Sequence, residues 1–229
     1  LREVLNADYH SACEKYKAIN DVTFNQLQSF VSNFFEKQKV QVLVQGNVNN
    51  SHALSIVNTL KSNLPTEPLN EAYKKNRKCY QLQIGTNILR LKSLMKNDDN
   101  TFIQNYYQIG RATLKNRNLA KLIEAILNQK AFDFLRTKEQ LGYNVGLKFD
   151  EFNGIVGIKL SVASQEHKHN HTKVYQKMVE FMKIHAKKFI EELTDEEFDK
   201  FKQSRLKFLQ AEHENLKSEF EENWYEIKD

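Results

Sequence analysis

Tyr143-Asn144-Val145-Gly146-Leu147-Lys148-Phe149 and Val156-Gly157-Ile158-Lys159-Leu160-Ser161-Val162 are the stretches on which the fold turns. In each, every second residue is apolar, the period of a strand with one buried face. Asp150-Glu151-Phe152-Asn153-Gly154 lies between them, and an Asn-Gly pair at that place favours a hairpin turn. Upstream, Leu119, Leu122, Ile123, Ile126 and Leu127 recur at helical spacing. Downstream, Met178, Phe181, Met182, His185 and Phe189 share one face of a second helix. Strands paired by hairpins and covered by helices make an α+β fold, with a mainly antiparallel sheet and helices packed on one face.

Further out, Phe102-Ile103-Gln104-Asn105-Tyr106-Tyr107 reads as another strand. Tyr80, Leu82 and Ile84, then Leu89 and Leu91, alternate with polar residues around Gly85-Thr86-Asn87 and read as a hairpin. The N-terminal part reads helix, strand, helix. Thr23 and Gln26 form a capping box ahead of Phe24, Leu27, Phe30, Val31, Phe34 and Phe35. Val40-Gln41-Val42-Leu43-Val44 reads as a buried strand ending in the Gln45-Gly46-Asn47 turn. Leu54, Ile56, Val57 and Leu60 follow on a helix that stops at Pro65. Residues 65–78 hold both prolines and the run Lys74-Lys75-Asn76-Arg77-Lys78, a linker that separates a first domain, 1–78, from a second, 79–229. A second capping box, Thr194 and Glu197, opens a late helix carrying Phe198, Phe201, Leu206 and Leu209.

The chain has 229 residues, 40% of them apolar and 28% charged, which is enough for one or two domains with a sizeable core. Only 7 Gly and 2 Pro argue against a turn-rich all-β or low-complexity protein. No stretch approaches the ~20 apolar residues of a membrane span. Leu1-Arg2-Glu3-Val4-Leu5 has neither the sections of a signal peptide nor a Met. Two cysteines, Cys13 and Cys79, give no disulfide framework and favour a reducing, intracellular compartment. The net charge of +5 divides into +3 over 1–78, +9 over 79–190 and −7 over 191–229. Such a basic middle is most often a solvated face, and the acidic tail argues against a nucleic-acid module.

Motifs for chemistry are few. Seven histidines include no H-E-x-x-H or H-x-x-E-H. His167, His169 and His171 would share one side of an extended backbone and could hold an adventitious metal; Lys168 and the loop setting favour a solvated polar loop instead. His185, on an apolar face, reads as a core histidine. Neither a nucleophile elbow nor a Gly-rich phosphate loop is present. One segment stands out, Phe132-Asp133-Phe134-Leu135-Arg136-Thr137-Lys138-Glu139-Gln140-Leu141-Gly142-Tyr143. A helix ends near Leu135, and Gly142 lets the chain pass into the next strand. Arg136 and Tyr143 then stand at the two lips of this connection. They either cap a helix end and flank a strand, or donate hydrogen bonds to a substrate carbonyl or developing oxyanion.

Leu135-Arg136-Thr137-Lys138-Glu139-Gln140-Leu141-Gly142-Tyr143 resembles the hallmark of the C-terminal half of pitrilysin-type zinc metallopeptidases, in the insulin-degrading enzyme and nardilysin group. Supporting matches run in order: Gln45-Gly46-Asn47-Val48, Tyr106-Tyr107-Gln108, Asn153-Gly154-Ile155-Val156-Gly157, Leu193-Thr194-Asp195-Glu196-Glu197-Phe198 and Asn223-Trp224-Tyr225-Glu226-Ile227. Phe30-Val31-Ser32-Asn33-Phe34-Phe35, Val44-Gln45-Gly46-Asn47-Val48 and Phe132-Asp133-Phe134-Leu135 lean towards nardilysin, while Glu139-Gln140 is closer to the insulin-degrading pattern.

The resemblance implies four homologous α+β domains, arranged as two halves around an enclosed chamber. Zinc sits in the first domain on an inverted His-x-x-Glu-His motif, which this chain lacks. Residues 1–78 would then be the end of the third domain and 79–229 the start of the fourth. The missing Met and the abrupt end at Asp229 suit a piece of a longer chain. Arg136 and Tyr143 would face the zinc from the opposite half, bind the substrate backbone and steady the tetrahedral intermediate; no residue here would bind the metal or another cofactor. The implied activity is that of a zinc-dependent metalloendopeptidase when the protein is whole, with this part inactive alone. Implied partners are peptide substrates and the N-terminal half, with a homo-oligomer allowed and nucleic acid excluded. The implied location is cytoplasmic, with mitochondrial, cell-surface or unconventionally secreted pools allowed. A basic wall would attract acidic peptides and the acidic tail basic ones. The alternative is a catalytically inactive homologue that binds peptides or scaffolds a partner.

Overall fold

A computed structural model describes residues 1–6, 9–64, 67–69, 78–93, 95 and 98–228. In chain order the elements are α1 (Arg2–Leu5), α2 (Ala12–Asn20), α3 (Phe24–Phe34), β1 (Lys37–Gln38), α4 (Asn50–Asn63), β2 (Glu67–Pro68), β3 (Asn100–Arg111), α5 (Leu114–Phe132), β4 (Asn144–Phe152), β5 (Ile155–Gln165), α6 (His171–Glu180), α7 (Lys187–Glu191), α8 (Asp195–Gln210) and α9 (Leu216–Lys228). Helices α5 and α6 each run on into a π-helical segment, Asp133–Lys138 and Phe181–Ala186. The chain divides into two compact units, Leu1–Tyr9 with Arg77–Gln210, and His10–Asn76 with Ala211–Asp229.

The first unit is built on the hairpin. Strand β5 lies between β3 and β4 and pairs antiparallel with both. Its alternation sends Val156, Ile158, Leu160 and Val162 to one face, where they are buried with Leu147 of β4. Helices α5 and α6 cover that face with Ile126, Leu127 and Ala131, and with Val174 and Met178; Leu135 and Phe181 add from the π segments. Each such Leu, Val or Phe contributes roughly 1.5–3 kcal/mol through removal from water. The other face is polar: Gln104 donates to Ser161 across β3 and β5 at 3.1 Å, and Lys159 pairs with the buried Asp150 at 2.7 Å. Tyr106 lies against Gly157, where no Cβ would fit. The expected antiparallel sheet with helices on one face is therefore present.

The second unit is helical, with a short parallel pairing of β1 and β2. Thr23 and Gln26 form their capping box, the Thr23 N–H donating to Gln26 Oε1 at 2.7 Å. Asn223 of α9 donates to Gln45 at 3.0 Å, and Leu216 lies 3.3 Å from where a Cβ on Gly46 (φ +129°) would stand. The stripe of Phe24, Leu27, Phe30, Val31 and Phe34 is exposed along α3.

Three expectations change. Val40–Val44 is not a strand; Val40 and Val42 are exposed, and no ladder partner exists for them among the described residues. A β-branched run forms a strand only when another backbone pairs with it. Nor is the hairpin over Tyr80–Leu91 formed. Ile84, Leu89 and Leu91 are exposed, while Tyr80–Leu82 is tied to β3 by a side chain. The Leu82 N–H donates to Gln108 Oε1 at 2.9 Å, and Gln108 Nε2 donates to the Tyr80 carbonyl at 2.9 Å. One amide thus does for two strand partners. Finally, the helix does not end at Leu135 but widens into the π turn through Lys138. The expected linker at 65–78 lies largely outside the described residues.

Candidate functional site

Wide turns at the end of α5 aim the Arg136–Tyr143 connection. The Glu139 N–H reaches back to the Phe134 carbonyl and the Leu141 N–H to the Leu135 carbonyl, each at 3.0 Å. Gln140 takes a left-handed conformation (φ +53°) to close this turn. A non-glycine residue held there costs about 1–2 kcal/mol, so its surroundings must fix it.

They do so at four points. Leu135 and Leu141 are buried in the core. Glu139 pairs with Lys177 of α6 at 3.0 Å. Lys177 is held above its usual range by Glu180 first and Glu139 second. His169 Nε2 lies 3.0 Å from the Gln140 carbonyl, which can only accept, so Nε2 carries the proton. Gly142 sits against β5, where a Cβ would collide with the Ala163 carbonyl oxygen and stand 2.9 Å from its carbon. The glycine requirement is thus close approach of two backbones.

From this clamped loop Arg136 and Tyr143 project side by side. The Arg136 guanidinium lies 4.6 Å from the Phe132 ring centre and 5.9 Å from that of Tyr143. Such cation–π stacking restrains a long side chain at small cost. Both residues are exposed and line one cleft of about 500 Å³, with Asn100, Gln140, Gly142, Asn144, Ser164, Lys168 and His169. The structure therefore brings the two residues picked from sequence to the lining of one opening.

The three histidines do not gather. Their segment turns instead of extending: His171 pairs with Glu166 at 2.9 Å while His169 faces Gln140. Hydrogen bonds from His171 first and Thr101 next hold the Glu166 carboxyl below its usual range. Among the described residues no group of three His, Cys, Asp or Glu could hold a metal. His185 is half-buried against the Phe134 ring, 4.2 Å between centres. Ser164, Asn144 and Lys168 were not singled out by sequence. Continuing the β5 alternation two residues past Val162 would have found Ser164; Lys168 carries no local signal of its own.

The model of the peptidase M16 inactive domain matches residues 21–205. The chain belongs to the peptidase M16 family. Human nardilysin is 32% identical over 218 residues, 95% of this chain and 19% of nardilysin. Human insulin-degrading enzyme is 28% identical over 219 residues, 93% of this chain and 21% of that enzyme. The crystal structure of pitrilysin superposes with a TM-score of 0.71 at 15% identity, over 94% of this chain and 22% of pitrilysin. The M16 inactive domain here thus spans about a fifth of the length of the curated relatives it matches. The family resemblance read from Leu135–Tyr143 holds, as does the lean towards nardilysin read from Phe30–Phe35, Val44–Val48 and Phe132–Leu135.

Proposed function

We propose that this M16 inactive domain is the non-catalytic, C-terminal-half part of a zinc metalloendopeptidase, and that it supplies contacts to the substrate backbone. The observation that carries the reading is the pairing of Arg136 and Tyr143 at one cleft, on a loop fixed by burial, an ion pair and a backbone close approach. Residues 1–78 and 79–229 are then the end of one peptidase-like domain and the start of the next. The apolar stripe on α3 is the kind of surface that the remainder of a longer protein would cover. Free thiols at Cys13 and Cys79 suit a reducing, cytoplasmic setting.

The described residues do not fit zinc, because no three ligating side chains converge. The metal would be held elsewhere in the protein. What this domain adds is charge and hydrogen bonding at the peptide carbonyl. The Arg136 guanidinium offers fixed planar donors, and the Tyr143 hydroxyl offers one more. Donors held in place before the reaction stabilise an oxyanion without reorganisation, and losing one costs about 10²–10³ in rate. Water exclusion would follow from closure of the opposing half over the cleft.

The test is cleavage of a peptide by the full-length protein carrying Arg136→Ala or Tyr143→Phe. Each should lower kcat/KM by about 10²-fold. Wild-type values for both would overturn the proposal in favour of a peptide-binding or scaffolding homologue.

A further inference from the structure

The same cleft continues past Arg136 and Tyr143 to the turn between β5 and α6, and its chemistry there is one-sided. Its lining carries three basic side chains, Arg136, Lys168 and His169, and among the described residues no aspartate or glutamate. Of the acids nearest in sequence, Asp99 is exposed, Asp98 accepts from Ser93 and from the lining Asn100, and the two glutamates are paired outside the cleft. Glu166 accepts from His171 and from the Thr101 hydroxyl, and Glu139 is paired with Lys177. A cleft with walls of one sign concentrates ions of the other.

Two buried polar atoms in the lining, Ser164 Oγ and His169 Nδ1, have no partner among the described residues. Ser164 is only 2% exposed, and a buried hydroxyl left unpaired is destabilising. None of the described residues satisfies it, although β5 holds it beside Gly142. His169 Nε2 is committed to the Gln140 carbonyl, so Nδ1 is the ring atom left for a ligand.

We infer that this end of the cleft is a carboxylate subsite. Lys168 supplies positive charge, Ser164 donates its hydroxyl, His169 presents its unpartnered ring edge, and the occupant is an acidic side chain or the free C-terminus of the bound peptide. The inference rests on the proposed role of the cleft in peptide binding and adds a preference to it. A carboxylate seated there would set the register of the chain that passes Arg136 and Tyr143.

Three peptides of one sequence separate the sources when titrated into the whole chain, with amide resonances of Gly142, Lys168 and His169 followed by NMR. The first carries one Glu and an amidated end, the second Gln and a free C-terminus, the third Gln and an amidated end. We expect one carboxylate-bearing peptide to bind at least tenfold tighter than the third, and the identity of that peptide names the source. Lys168→Gln, at an exposed position, should cut the preference at least fivefold with an otherwise unchanged spectrum. His169→Gln, which keeps a donor for the Gln140 carbonyl, should cut it as well. Equal binding of all three peptides overturns the carboxylate subsite and leaves the peptide-binding role intact. Binding of none overturns both, and a preference surviving in the Lys168→Gln/His169→Gln double variant overturns the assignment of these residues.

Discussion

Replacing Gly142 with alanine should separate the loop from the sheet. The added Cβ would collide with the Ala163 carbonyl oxygen and stand 2.9 Å from its carbon. Ala163 cannot retreat, because it lies in the central strand and is registered with Phe102 on one side and Asn144 on the other. The loop must therefore give, by about 1.5 Å to restore ordinary contact distance. Overpacking of this kind costs about 1–3 kcal/mol. Tyr143, the next residue, travels with the displaced backbone, and a 1 Å misplacement of a positioning group costs about 10²-fold in rate. Urea denaturation of the chain followed by circular dichroism reads the first effect, and kcat/KM of the full-length protein reads the second. Gly146→Ala is the control: its Cβ would meet nothing nearer than Asn128 Oδ1 at 3.8 Å, and its stability should stay within about 0.5 kcal/mol of wild type. If Gly142→Ala is as stable and as active as that control, the close-approach argument is wrong.

Further tests follow from other parts of the first unit. Burial foremost, then the Asp150 carboxylate, pushes the Tyr106 phenol up to about 12. The folded chain thus holds this proton more tightly than the unfolded one, so stability is full below pH ~10 and falls as pH rises towards ~12. Tyr106→Phe should lose less across that window, by about 1–2 kcal/mol after allowance for the partly exposed ring, as read from urea midpoints at stepped pH. Near neutrality it should be as stable as wild type or slightly more so, since the hydroxyl has no partner to lose. Gln108→Leu should free the Tyr80–Leu82 segment from β3 and raise hydrogen exchange of the Leu82 amide at least tenfold, whereas unchanged exchange would mean the side-chain amide is not what holds it.

The parts of the fold that could be read from sequence are those whose partners lie close in the chain. The β4–β5 hairpin carries its register in its own alternation and in Asn153-Gly154, and α5 carries its buried stripe in a 3.6-residue period. The capping boxes at Thr23 and Thr194 were visible because both halves sit three residues apart. Val40–Val44 and Tyr80–Leu91 were misread because a strand needs a second backbone, and no local pattern states whether one arrives. Gln108 shows the converse, since nothing in Tyr107-Gln108-Ile109 announces that its amide will stand in for a strand. At the site, Arg136 and Tyr143 were legible because one loop carries both. Ser164, Lys168 and His169 join them only through the pairing of β4 with β5, which brings residues some twenty to thirty positions apart to one cleft.

On the proposed function, Arg136 and Tyr143 of this inactive domain hold the backbone of a bound peptide. A structure of the full-length protein with a peptide trapped in it measures this directly. Both the Arg136 guanidinium and the Tyr143 hydroxyl should lie within about 2.7–3.2 Å of peptide oxygens. A peptide bound elsewhere, with the Arg136–Tyr143 cleft open to solvent, would contradict the claim.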